Sequence, residues 1–337
     1  MRLERRSKYY LFLIVALILG SSFGIPTAVP DARARDLSLP ANFRFNIYPD
    51  PPITFDSSTA ALRFFRAGNL ILLKAKADTT EGYFILDTGA PYLILNMTYF
   101  RDYPSISFSE DGEQGGITGA VTAYAPTKLE KFSLGPFHYH NIHADRINLG
   151  HIESVKGVKI FGLLGLQLFK KFEMIIDYET NTIYLHLISK KEAKIYKNEM
   201  LKDATSHYVL PFVIQEHKMM VKATFGTKSL TFIIDTGAES NVIDSRLPNS
   251  ILEAITVSRR VTLRGNGGAG VEALYGDISD LKIGDIPLGK LPVLVTNLEK
   301  MCSAYNTSCL DGMLGFDFLS QHKIGFNFVN RKMYIWK

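Results

Sequence analysis

The chain has 337 residues, 46% hydrophobic and 21% charged, with a formal net charge of +5. That balance excludes a disordered or fibrous chain, and the length suffices for two lobes of about 120–150 residues, each with its own core. The 16 Tyr and 22 Phe, with Val, Ile and Thr in short runs, favour strands over helices.

At the N-terminus, Arg2, Arg5, Arg6 and Lys8 precede an apolar run from Tyr9 to Leu19 and the small residues Gly20, Ser21 and Ser22. This reads as an export signal within residues 1–34, cleaved after Ala32-Arg33-Ala34 or nearer Ser22 or Gly24. An uncleaved membrane anchor is the other reading, because Tyr9 to Val29 almost reaches spanning length. Either way the expected location is exported, periplasmic or extracellular. Residues 1–34 hold five basic and two acidic side chains, so without them the net charge falls to +2. That leaves no electrostatic footprint for a nucleic-acid partner. Residues 35–60, with Pro40, Pro49, Pro51 and Pro52, read as an irregular lead-in or a pro-segment.

From there the chain repeats itself. ALRFFRAGNLILLKAKADTTEGYFILDTGA at 61–90 aligns with VLPFVIQEHKMMVKATFGTKSLTFIIDTGA at 209–238, an offset of 148. Leu134-Gly135-Pro136-Phe137 aligns with Ile283-Gly284-Asp285-Ile286 at 149, and 162–185 with 312–335 at 150. So small a drift predicts two lobes with the same order of elements, 61–188 and 207–337, related by an approximate two-fold axis. Within each, apolar or alternating runs separated by turn residues predict strands, among them Leu70–Lys76, Tyr83–Leu86, Lys171–Tyr178 and Thr182–His186. The connection 189–206 contains the Lys- and Glu-rich stretch Ser189–Ala204, which reads as a solvated helix.

Three signals carry less. Cys302 and Cys309 in an exported chain predict a local disulfide. His138, His140 and His143 share a strand spacing that would suit a metal, but no acidic or cysteine partner sits at ligand spacing and residues 287–293 have no histidine, so exposed hairpin residues are the reading. Asn96-Met97-Thr98 and Asn306-Thr307-Ser308 are glycosylation sequons, meaningful only in a eukaryotic source.

Asp-Thr-Gly by chance occurs in on the order of one chain in ten of this length. Here it occurs twice, at Asp87-Thr88-Gly89 and Asp235-Thr236-Gly237, at equivalent places of the repeat and each time ending an apolar strand. A lone buried carboxylate would be costly. Two brought together by a pseudo-dyad hold one proton jointly, because like charges so close do not both ionise. One is then a general base toward water and the other a general acid toward a carbonyl.

The paired Asp-Thr-Gly-Ala turns resemble the retropepsin-type aspartic peptidases, with both halves in one chain as in the pepsin-like enzymes. Leu163-Leu164-Gly165 and Met313-Leu314-Gly315, whose glycines follow their aspartates by 78 and 80 residues, match the apolar-apolar-glycine segments that pass beneath each turn in that family. Gly115-Gly116-Ile117-Thr118-Gly119 resembles a retropepsin flap, and Gly267-Gly268-Ala269-Gly270 is its counterpart. The resemblance spans about residues 60–337 and implies an all-β, bilobal acid-peptidase fold. It also implies peptide-bond hydrolysis by water held between Asp87 and Asp235, without cofactor or metal. The substrate would be a peptide or protein, and a second chain is not required to complete the site. By the same resemblance Thr88 and Thr236 hydrogen-bond across the dyad.

Two departures matter. Ala90 and Ala238 stand where pepsin-like enzymes usually carry Ser or Thr, which removes a hydrogen bond to the ionised carboxylate and implies a less acidic pH optimum than pepsin's. Tyr124 and Tyr275 follow the flap glycines instead of preceding them. The alternative reading is an exported, catalytically silent peptide-binding module of the same fold.

Overall fold

The computed structural model describes residues 48–106, 114–116, 119–121, 125–193, 195, 198–215, 217–264, 270–299 and 310–337. The chain is all-β, two lobes sharing a floor. In the first lobe an eight-stranded sheet runs, in spatial order, Ile53–Phe55, Phe137–Ile147, Leu93–Asn96, Gly162–Leu164, Thr80–Leu86, Leu70–Ala77 and Phe65–Ala67, with Ala125–Leu134 paired to both Phe137–Ile147 and Leu70–Ala77. The second lobe's ten-stranded sheet contains Thr256–Arg264, Gly270–Ile278, Leu291–Thr296, Val242–Asp244, Gly312–Leu314, Lys228–Ile234 and Lys218–Phe225 in the corresponding spatial order.

Period-two patterning accounts for the strands. Along Leu70–Ala77 the alkyl groups of Leu73, Ala75 and Ala77 go inward while Lys74 and Lys76 face water. Tight reversals fall where left-handed backbone is needed, at Asp78 (φ +48°) in one lobe and Gly226 (φ +57°) in the other.

The floor is a six-stranded sheet: His207–Pro211, Lys332–Trp336 and Ile324–Asn327, then Phe172–Asp177, Thr182–Leu187 and Thr59–Arg63. Its seam pairs Met174 with Phe326, Ile175 with Gly325 and Ile176 with Ile324, antiparallel. Ile175 and Gly325, which correspond at the sequence offset of 150, face each other across that seam.

The structure corrects two expectations. The lead-in ends earlier than residue 60: Tyr48 is buried, Ile53–Phe55 pairs with Phe137–Tyr139, and Thr59–Arg63 is an edge strand of the floor. Tyr48 and Pro51 are buried here, while Asp50, Thr54 and Phe55 stay exposed. The helix expected over Ser189–Ala204 does not form; its described residues make turns and a single 3-10 turn at Glu199–Leu201, capped by Asn198. Helical propensity without an apolar stripe to bury is marginal in water, and Ile195 is 75% exposed.

Candidate active site

Each Asp-Thr-Gly turn hangs on an inserted strand. Gly162–Leu164 lies between the strand that enters the first turn and the one that leaves it, pairing Leu163 parallel with Ile85 and antiparallel with Ile94. Met313 does the same between Ile233 and Val242. The Asp87 N–H donates to Leu164 O at 3.1 Å and the Asp235 N–H to Leu314 O at 3.0 Å. Leu163-Leu164-Gly165 and Met313-Leu314-Gly315 therefore lie directly against the turns.

The two threonines tie the turns together. Thr88 Oγ1 donates to Ile234 O at 3.1 Å and accepts from the Thr236 N–H at 3.0 Å. Thr236 Oγ1 donates to Leu86 O and accepts from the Thr88 N–H, both at 3.0 Å. Each hydroxyl gives its proton to the residue before the other lobe's aspartate, so the spacing between the turns is set from both sides.

Asp87 and Asp235 are fully buried, face to face. A Cβ on Gly89 would stand 2.4 Å from Asp235 Oδ2, and one on Gly237 would stand 2.5 Å from Asp87 Cγ. Only glycine permits that approach. Asp87 Oδ1 accepts from the N–H groups of Gly89 (2.9 Å) and Ala90 (3.0 Å), while Asp235 Oδ1 accepts from Gly237 N–H at 2.8 Å. Neither Oδ2 has a protein donor among the described residues when both acids are ionised. A proton between them supplies a carboxyl–carboxyl hydrogen bond.

Burial, reinforced by the facing Asp235, pushes the Asp87 carboxyl well above the usual carboxylate range. Burial also raises Asp235, to about 6, against the Gly237 N–H, the Asp87 carboxyl and the charge of Lys218. The pair is thus built to hold one proton under mildly acidic conditions.

Of the glycine-rich segments, Gly115, Gly116, Gly119 and Gly270 fall on paired strands. Gln114–Gly116 and Gly119–Val121 pair antiparallel, with Gly116 opposite Gly119, and Ile117 lies outside the described residues. In the second lobe Thr256–Arg264 and Gly270–Ile278 pair with Arg264 opposite Gly270; Gly267 and Gly268 are outside the described residues. So are Cys302 and Cys309.

Other expected residues are dispersed. His138 bonds Ser133 Oγ (2.9 Å) and Asp56 (3.1 Å), His140 bonds Thr54 (2.7 Å), and His143 stacks on Tyr48. Among the described residues no group of His, Cys, Asp and Glu is arranged to hold a metal. Asn96 is buried, with its side chain donating to Ile160 O and accepting from Thr98 and Leu149, so its sequon is inaccessible in the folded chain.

Sequence reasoning missed a set of contacts around the dyad. Lys156 Nζ bridges both oxygens of buried Glu239, at 2.6 and 2.7 Å, and Glu239 also accepts from the Asn69 N–H at 3.1 Å. On the other side Tyr92 Oη meets His217 Nε2 at 3.2 Å and accepts from the Tyr48 N–H at 3.3 Å. Lys218 is buried beside His217. These partners lie far apart in sequence, and the only available signal was a break in the repeat: Glu239 aligns with Pro91, and Lys218 with Leu70.

Residues 221–318 match a family model described as Aspartyl protease. The matched stretch contains the second Asp-Thr-Gly-Ala turn, the second hairpin and Met313-Leu314-Gly315. No curated protein matches the chain. The architecture is the all-β fold of aspartic proteases.

Proposed function

We propose that the chain is an aspartic endopeptidase, formed by duplication of one lobe, with Asp87 and Asp235 as its catalytic pair. The observation that carries this reading is the reciprocal threonine bonding that sets two buried carboxylates face to face with no protein donor on either Oδ2. In the singly protonated pair, the ionised carboxylate takes a proton from water as the water oxygen attacks the peptide carbonyl, and the protonated one donates to the carbonyl oxygen. Collapse of the tetrahedral species breaks the C–N bond as the amine nitrogen takes up a proton. No covalent enzyme intermediate arises.

The paired hairpins support a substrate clamped from both sides as an extended strand. Because the chain supplies both turns, the site is complete in one copy. The N-terminal segment supports export, as a cleaved signal or as an anchor.

Peptide-library cleavage by the wild type beside Asp235→Asn, with and without a statine-type inhibitor, tests the reading. Internal cleavage that the inhibitor and the substitution both abolish is expected. Peptide binding without product would identify a silent module instead.

A further inference from the structure

The strand that ends at each aspartate pairs antiparallel with its hairpin partner, Leu72 opposite Ile85 in one lobe and Met220 opposite Ile233 in the other. Leu70 and Lys218 open the partner strands just beyond these paired residues, each following its own hairpin turn opposite Ala67 or Gln215, and the Lys218 charge acts on the Asp235 carboxyl. Leu70 and Lys218 are equivalents at the offset of 148, and both are buried, at 0% and 5% exposure. The two halves thus carry an alkyl side chain at one of these equivalent buried positions and an ammonium at the other. An ammonium at short range favours the ionised form of a carboxylate, and an alkyl wall disfavours it.

We propose that Lys218 is a positioning residue that makes the dyad unequal, holding Asp235 ionised as the base toward water and leaving the shared proton on Asp87 as the acid toward the substrate carbonyl. This assignment of roles rests on the peptidase reading. Two aspartates related by a near two-fold axis would otherwise share the proton evenly, and half the molecules would present the wrong member to a substrate that binds in one direction.

The surrounding charges agree. At Asp87 burial and the facing Asp235 act in the same direction against the Ala90 and Gly89 N–H groups, whereas at Asp235 burial is opposed by the Gly237 N–H, the Asp87 carboxyl, the Gly89 N–H and, in addition, the charge of Lys218. Glu239, four residues on, is neutralised by Lys156. Asp317, on the helical turn Phe316–Leu319, is driven toward its neutral form by burial. Beside Lys218, His217 is driven toward its neutral form by burial and by Lys170, against the pull of Asp50. Glu216 lies outside the described residues.

The test separates inequality from its cause. Carbon-13 NMR titration of the single remaining carboxyl in Asp87→Asn and in Asp235→Asn should find Asp235 titrating lower than Asp87 by about one pH unit. Equal values overturn the proposal. The Asp87→Asn titration is then repeated with Lys218→Met and with Lys218→Arg. The methionine variant should move Asp235 up by about one unit and the arginine variant should not. Parallel movement in both, or movement in neither, overturns it, since packing and not charge would then be responsible.

The acid limb of the kcat/KM profile for peptide hydrolysis should shift upward in Lys218→Met alone. Should the wild type cleave no peptide, the peptidase reading fails, while the NMR titration still decides whether Lys218 sets the inequality. If Lys218→Met does not fold, the Asp87→Asn and Asp235→Asn comparison with Lys218→Arg stands on its own, and equal titration of the two aspartates still refutes it.

Discussion

The two lobes are alike where they meet the dyad and unlike one residue further out. Both bury an Asp-Thr-Gly-Ala turn against an inserted apolar strand, and both give the threonine hydroxyl to the other half. Behind the turns the symmetry stops. The first lobe's hairpin tip at Asn69 reaches Glu239 of the second, which Lys156 holds in a buried ion pair. The second lobe's tip at His217 reaches Tyr92 of the first through a neutral contact backed by Tyr48. The flap roots differ as well. Arg146 donates to the carbonyls of Phe100, Arg101 and Tyr103 and to Ser105 Oγ, pinning the chain that leads into the first hairpin. Its equivalent is Val295, buried in the second core. The halves agree at the turns, where the threonines bond reciprocally, and differ in the contacts that support them.

The largest expected effects break the shared part. Asp87→Asn and Asp235→Asn should each lower kcat by about 10³-fold or more, with no loss of melting temperature, because each removes one member of a pair that acts as a unit. Parallel turnover and melting measurements check this; retained activity in either variant would remove the dyad.

Next come the supports. Lys156→Met should destabilise the fold by about 3–5 kcal/mol, since it strands Glu239 without its cation in a buried site. Combining it with Glu239→Gln should recover part of that loss. The opposite support should matter less, with Tyr92→Phe costing about 1–2 kcal/mol for two long neutral hydrogen bonds. Urea unfolding of the four proteins measures the contrast, and equal losses on the two sides would erase it.

Thr236→Val should cost about 2–4 kcal/mol, because it leaves the Thr88 N–H and Leu86 O buried and unpaired, and Thr236→Ser should restore most of it.

The smallest effect is a pH dependence. A carboxyl raised from an ordinary value near 3.8 to about 6 binds more protons folded than unfolded between those values. The dyad therefore lowers stability as pH rises through that window. Asp87→Asn and Asp235→Asn should each raise the melting temperature at pH 7 more than at pH 4. The same raised values place maximal turnover well above about pH 3, because activity needs one proton on the pair and is lost when both acids are protonated.

Much of this was written in the sequence, for a physical reason. The turns tolerate little change, since a glycine must admit the opposing carboxylate and a threonine must give its hydroxyl across the axis, so the repeat survives there letter by letter. The strands on either side follow from alternation. What was illegible depends on pairing at a distance. Lys156 and Glu239 are 83 residues apart, and nothing local marks them as partners. Lys218 opens an apolar strand and reads as an ordinary polar end until the fold buries it where its charge acts on Asp235. The stretch Ser189–Ala204 misled because charge and propensity favour a helix, while the absence of an apolar face to dock gives it nothing to hold it.

The floor sheet has a further consequence. Each lobe contributes three adjacent strands to it, and the described residues of the connection 189–206 form no strand of the sheet. A nick in that exposed link would leave every strand pair intact, so separately expressed halves should find each other through the Ile175–Gly325 seam. Each fragment would carry one of the two facing aspartates, and turnover would return only on reconstitution, with second-order dependence on the two concentrations.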